Sequence, residues 1–122
     1  MARILVIDDD DLLRRFVVAL LEKRKYDVQS ADSGEAGLRL AAATEFDLVV
    51  TDIVMPGTPG LETITEIRRQ WPEIKILAIS GGGSSKGDYL QYASRLGANA
   101  VLAKPFEPTE FLDIVARLAV RG

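Results

Sequence analysis

The stretch Ile4–Leu21 reads "ILVIDDDDLLRRFVVALL" and joins three patterns. Ile4 to Ile7 is a continuous apolar run, the composition of a strand covered on both faces. Four consecutive carboxylates, Asp8 to Asp11, follow it. Leu13, Phe16, Val17, Leu20 and Leu21 then fall at i, i+3, i+4, i+7 and i+8, the spacing of one helical face. A buried strand, a polar turn and a helix form the repeating unit of a parallel sheet with helical crossovers. The acids raise a separate question. Two unit charges about 4 Å apart repel by about 1 kcal/mol in water and about 4 kcal/mol at an effective dielectric near 20. Such a cluster needs compensation.

The same unit recurs along the chain. Strands are expected at "RILVI" (Arg3 to Ile7), "DVQSA" (Asp27 to Ala31), "DLVVT" (Asp47 to Thr51), "KILAIS" (Lys75 to Ser80) and "AVLA" (Ala100 to Ala103). Between them lie helical patterns. Ser33 to Thr44 is rich in Ala and Leu; Leu61, Ile64 and Trp71 predict a helix ending at Pro72. Tyr89, Tyr92, Ala93 and Leu96 predict another closed by Gly97, and Phe111, Ile114, Val115, Leu118 and Ala119 repeat the face spacing of the first helix. Strand and helix alternate five times. The order implies an α/β fold with helices on both faces of a parallel sheet, in one domain over residues 1–122.

The composition narrows the chemistry. There is no cysteine and no histidine, which excludes disulfides, thiolate nucleophiles, Cys-ligated zinc, a Ser-His triad and a phosphohistidine. With 15 basic against 18 acidic side chains and a net charge of -3, no bulk field favours nucleic acid or an anionic membrane. The apolar run after Met1-Ala2-Arg3 is too short for a signal peptide, and Phe16 to Leu21 is far too short to span a bilayer. A soluble, cytoplasmic protein is expected.

In an open parallel sheet, ligands sit outside the carboxyl ends of the strands. Asp8 and Asp9 follow the first strand, Asp52 the third, Ser80 ends the fourth, and Lys104-Pro105 follows the fifth. Hard oxygen ligands at neighbouring strand ends suit Mg2+, with Mn2+ as a substitute, bound through carboxylates plus a phosphate oxygen. A carboxylate can attack phosphorus to give an aspartyl-phosphate, and phosphoryl transfer asks mainly for positioning and charge neutralisation. Asp52 as nucleophile, with Mg2+, Lys104 and the Ser80 hydroxyl on the phosphoryl oxygens, supplies each part.

The motifs "VIDDDDLLRR", "DLVVTDIVMPGTPG", "ILAISGG" and "LAKPF", in this order from about Arg3 to Leu118, resemble those of response-regulator receiver domains, the phospho-accepting switches of two-component signalling. The resemblance implies a flavodoxin-like, doubly wound (βα)5 sandwich with a five-stranded sheet in the order 2-1-3-4-5. It implies a metal-binding pair at Asp8 and Asp9, the acceptor at Asp52, a phosphoryl-binding hydroxyl at Ser80 and the lysine at Lys104. A metal contact from the backbone carbonyl of Val54 and a cis bond before Pro105 also follow from it. The phosphoryl donor is then a sensor histidine kinase or a histidine phosphotransfer protein, and the output is a contact with a downstream protein rather than direct binding of nucleic acid. The protein would catalyse its own phosphorylation and dephosphorylation without being a turnover enzyme.

Several features have plainer readings. Asp10 and Asp11 precede a helix, where acids cap free N–H groups and suit the dipole. "GGGSSKGD" fails both the P-loop and the dinucleotide patterns and reads as a loop. "EKRKYD" (Glu22 to Asp27) reads as a solvated helix end, and Trp71 as a packing residue. Val101 stands where the resembled family places a switching aromatic, so the signal is expected to move through the loop after Ser80; Val54 near the acceptor suggests slow self-dephosphorylation. The chain is expected to be a stand-alone receiver. Its partner surfaces are expected on the first helix, at Leu12 and Val18, and on the face of the fourth helix, fifth strand and fifth helix with Tyr89 or Tyr92. Two alternatives remain at this stage: a small haloacid-dehalogenase-type phosphatase with Asp8 as nucleophile and Ser80 and Lys104 assisting, and a degenerate receiver used only for docking.

Overall fold

The computed structural model describes residues 2–53, 60–81, 91 and 93–120. Five strands form one parallel sheet: β1 (Arg3–Ile7), β2 (Asp27–Ala31), β3 (Leu48–Asp52), β4 (Lys75–Gly81) and β5 (Ala100–Lys104), in the spatial order β2-β1-β3-β4-β5. The register aligns Ile7 with Ala31 and Thr51, Asp52 with Ile79, and Gly81 with Lys104. The carboxyl ends of all five strands therefore meet along one edge.

Four helices have described boundaries or cores: α1 (Asp11–Lys23), α2 (Gly34–Ala43), α3 (Gly60–Gln70) and the last helix (Pro108–Leu118), here α5. Residues 91 and 93–96 are also helical and constitute the described part of α4. The alternation of strand side chains explains the continuous apolar runs. Ile4, Val6, Leu48, Val50, Leu77 and Ile79 join Val17 and Leu21 of α1 and Phe111 and Val115 of α5 in one core. Leu5, Ile7, Val49, Ile76 and Ala78 join Ala41 of α2, Ile64 and Ile67 of α3 and Ala93 of α4 in the other. β2 is the exception, with exposed Asp27 and Ser30, because it lies at the sheet edge.

Two glycines mark close approaches. A Cβ on Gly37 of α2 would run into the side chain of Ile7, so any larger residue there requires Ile7 at the end of β1 to shift. Gly97, at φ +119, closes α4 in the left-handed region and lies against Arg68.

The expected boundaries of α2 are close to the observed ones: Ser33 is its N-cap, accepting from the Ala36 N–H at 3.1 Å. Asp10 caps α1, accepting from the N–H groups of Leu12 and Leu13 at 3.1 Å each. The expected core stripe of α1 needs one correction. Phe16 is 47% exposed, because Val17 and Leu21 already fill the contact with β1 and β2 and turn Phe16 toward solvent beside Leu12. Val101 is half-buried and packs against the second core. Val54, Met55, Pro56, Gly82, Tyr89 and Tyr92 lie outside the described residues, as do the expectations attached to them.

Candidate functional site

The end of β1 is built as a turn that holds its own acids. The Asp8 N–H extends the ladder to Ala31 O at 3.1 Å, while one Asp8 carboxylate oxygen accepts from the Asp10 N–H at 2.9 Å. Asp8 and Asp52 are each 5% exposed, and Asp9 is open to solvent. One carboxylate oxygen from each of Asp8, Asp9 and Asp52 lies within 4.8 Å of the others. Ligands about 2.1 Å from one small cation span nearly that distance.

Lys104 reaches this cluster from β5 across β4. Its ammonium donates to Asp52 Oδ2 at 2.8 Å and lies 3.8 Å from Asp8 Oδ2. Among the described residues, one ammonium faces three carboxylates at the strand ends. Asp8 registers the consequence: its carboxyl rises from an ordinary 3.8 to about 6. Burial is the main cause; the Asp10 N–H and Lys104 oppose it, and the charges of Asp52 and Asp9 add to it. The donor set is all oxygen, hard and anionic. Those properties fit a divalent cation of the Mg2+ type.

Ser80 is fully buried at the end of β4, and its Oγ has no hydrogen-bond partner among the described residues. A buried hydroxyl left unpaired costs about 1–3 kcal/mol. Thr63 Oγ1 on α3 shares that condition. The Lys104–Pro105 bond is cis, as expected for the segment that carries the lysine. A cavity of about 470 Å³ lined by Arg14, Asp32 and Arg39, and one of about 730 Å³ beside Phe46 and Trp71, are not lined by Asp8, Asp9 or Asp52.

The structure therefore brings together Asp8, Asp9, Asp52 and Lys104, with Ser80 on the strand between Asp52 and Lys104. Sequence reasoning missed Arg14, whose Nη1 donates to the Asp8 carbonyl at 2.9 Å and whose Nη2 pairs with Asp11 at 2.6 Å. The available signal was the Asp11–Arg14 spacing of i, i+3 on a helix. It also missed Thr51, whose buried hydroxyl donates to the Asp52 carbonyl at 3.1 Å.

Comparison with known proteins agrees with this geometry. Residues 4–116 match the response regulator receiver domain. The response regulator protein FleR of Pseudomonas aeruginosa is 35% identical over 98% of this chain, which spans 25% of FleR. The response regulator receiver protein CpdR of Brucella abortus is 32% identical, with 98% of both chains covered. The solved structure of the Vibrio cholerae chemotaxis protein CheY4 superposes with a TM-score of 0.87 at 30% identity, covering 97% of this chain and 98% of that one. Nothing in these matches supports a haloacid-dehalogenase phosphatase. Among the described residues no helix is long and apolar enough to cross a membrane. By sequence and by fold, the chain belongs to the response regulator receiver domains, the phospho-accepting switches of two-component signalling.

Proposed function

We propose that Asp52 is the phospho-acceptor of this receiver, and that Asp8, Asp9 and Asp52, with the backbone carbonyl of Val54, hold the Mg2+ or Mn2+ ion that assists it. The observation that carries the reading is the buried Asp52 carboxylate, with Lys104 at 2.8 Å and the Asp8 and Asp9 oxygens within 4.8 Å. Bound there, the cation supplies charge neutralisation for the phosphoryl oxygens.

A carboxylate oxygen of Asp52 forms the new O–P bond while the N–P bond of the donor's phosphohistidine breaks, and the departing imidazole keeps the electron pair. The chain has no histidine, so the donor histidine lies outside it, on a sensor histidine kinase or a histidine phosphotransfer protein. Lys104 holds the acceptor carboxylate before transfer and can pass to a phosphoryl oxygen afterwards. Ser80 has an unspent O–H to donate to another. The phosphorylated state then shifts an equilibrium read by a downstream protein in the cytoplasm, without a direct nucleic-acid contact and without turnover of a small substrate.

Incubation of the chain with acetyl phosphate and MgCl2, followed by mass spectrometry, tests this. The expected result is a labile gain of one phosphoryl group in the wild type and in Ser80→Ala given time, and none in Asp52→Asn. An adduct that persists in Asp52→Asn overturns the assignment.

A further inference from the structure

The acidic turn is braced from outside the site, by a residue on the far side of the helix start. Asp8 lies one residue past β1, and its N–H still reaches Ala31 O at 3.1 Å. Arg14, one turn into α1, takes the Asp8 carbonyl with Nη1 at 2.9 Å. Its other terminal nitrogen holds Asp11 at 2.6 Å, and the side chain is only 16% exposed while Asp11 is 67% exposed. The guanidinium fork thus ties the strand end to the first turn of the helix, with Asp8 itself one attachment and Asp9 between it and Asp11. Asp10 fastens the same turn by capping α1 at 3.1 Å and by donating its own N–H to Asp8 at 2.9 Å.

We infer that Arg14 is a positioning residue for the cation site: its bond to the Asp8 carbonyl fixes the backbone from which Asp8 and Asp9 project. The inference rests on the reading that these acids hold Mg2+. Its sign separates it from a simple electrostatic role. A guanidinium beside a dication site repels the ion, so if charge were its only effect, removing Arg14 would tighten Mg2+ binding. A positioning role requires the opposite, because ligands whose backbone is released lose preorganisation, and partners of this kind typically carry about ten-fold or more in metal affinity. Lysine keeps the charge and stem but lacks the planar fork that spans Asp8 O and Asp11 Oδ1.

The test is calorimetric titration of the full chain with MgCl2 alone, on wild type, Arg14→Ala and Arg14→Lys, with circular dichroism to establish folding. Both variants are expected to bind Mg2+ about ten-fold more weakly. The Mg2+ concentration for half-maximal labelling by acetyl phosphate is expected to rise by the same factor. Should Arg14→Ala not fold, Arg14→Lys carries the result. Equal or tighter binding by Arg14→Ala, or wild-type affinity in Arg14→Lys, overturns the inference while leaving the Mg2+ site intact. Absence of Mg2+ binding by the wild type overturns both together.

Discussion

The two ends of the sheet satisfy their polar groups in opposite ways. At the amino-terminal end, Arg68 of α3 donates to the carbonyls of Pro72 and Ile74 at 2.8 Å each, to Gly97 O at 2.7 Å and to Asn99 Oδ1 at 3.0 Å. Asn99 Oδ1 also accepts from the Ile76 N–H at 2.8 Å, and Asp47 accepts from the Arg3 N–H at 2.8 Å. One guanidinium there joins α3, β4 and the turn after α4. At the carboxyl end, among the described residues, buried Asp8 and Asp52 share Lys104, and the Ser80 hydroxyl has no partner. Local rules are broken where a protein acts rather than where it is merely held together. The stapled end keeps the strands in register, and the under-satisfied end keeps groups ready for a cation and a phosphoryl group.

The largest effect expected from this contrast is at Asp8. Its folded-state carboxyl titrates at about 6 against an ordinary 3.8, a difference of about 3 kcal/mol between protonation states. A raised carboxyl favours the fold while protonated: the contribution is complete below about pH 4 and is lost as pH rises through about 6. In EDTA at pH 8, Asp8→Asn should therefore be more stable than wild type by up to about 3 kcal/mol, with the gap closing toward pH 4. Urea denaturation of both proteins across that range measures it. A gap that does not vary with pH would show that burial at this end carries no cost.

The stapled end should respond in reverse. Arg68→Ala removes the guanidinium from three carbonyls and leaves Asn99 Oδ1 only its bond from the Ile76 N–H; it is expected to lower stability by about 2 kcal/mol, with Mg2+ affinity and phosphoryl uptake unchanged. Thermal denaturation beside the acetyl phosphate assay separates the two readouts. A fall in uptake at temperatures where the variant is folded would break the comparison, because the ends would then be coupled through α3 and α4.

Much of this division was legible in the sequence. Continuous apolar runs ending in Asp8, Asp52, Ser80 and Lys104 fixed both the parallel sheet and the edge where its polar groups meet, because burial on two faces and the position of strand ends follow directly from pattern. Asp10 as a cap was equally plain. Phe16 was not, since a helical stripe gives a face but not how much of it the sheet can cover. Arg68 and Arg14 were hard to read for a shared reason: both act largely on backbone carbonyls, which every residue has, and the one signal, the i, i+3 spacing of Asp11 and Arg14, points to a helix-surface pair and not to the Asp8 carbonyl.

The smallest effect is the most discriminating, because it sets stability against function at one atom. Ser80 Oγ is buried without a partner among the described residues, and removing it relieves a desolvated hydroxyl rather than breaking a bond. Ser80→Ala should raise stability by about 1 kcal/mol. The same change removes a donor to the charged phosphoryl group, worth about 1.5 kcal/mol or about ten-fold in rate. Labelling by acetyl phosphate should slow by about that factor while the urea midpoint rises. A variant that loses stability would mean that the hydroxyl is held in the resting fold, and the carboxyl end would then be less poised than its geometry implies. A variant that gains stability and labels at the wild-type rate would remove Ser80 from the transfer and leave Lys104 as the side chain that meets the phosphoryl oxygens.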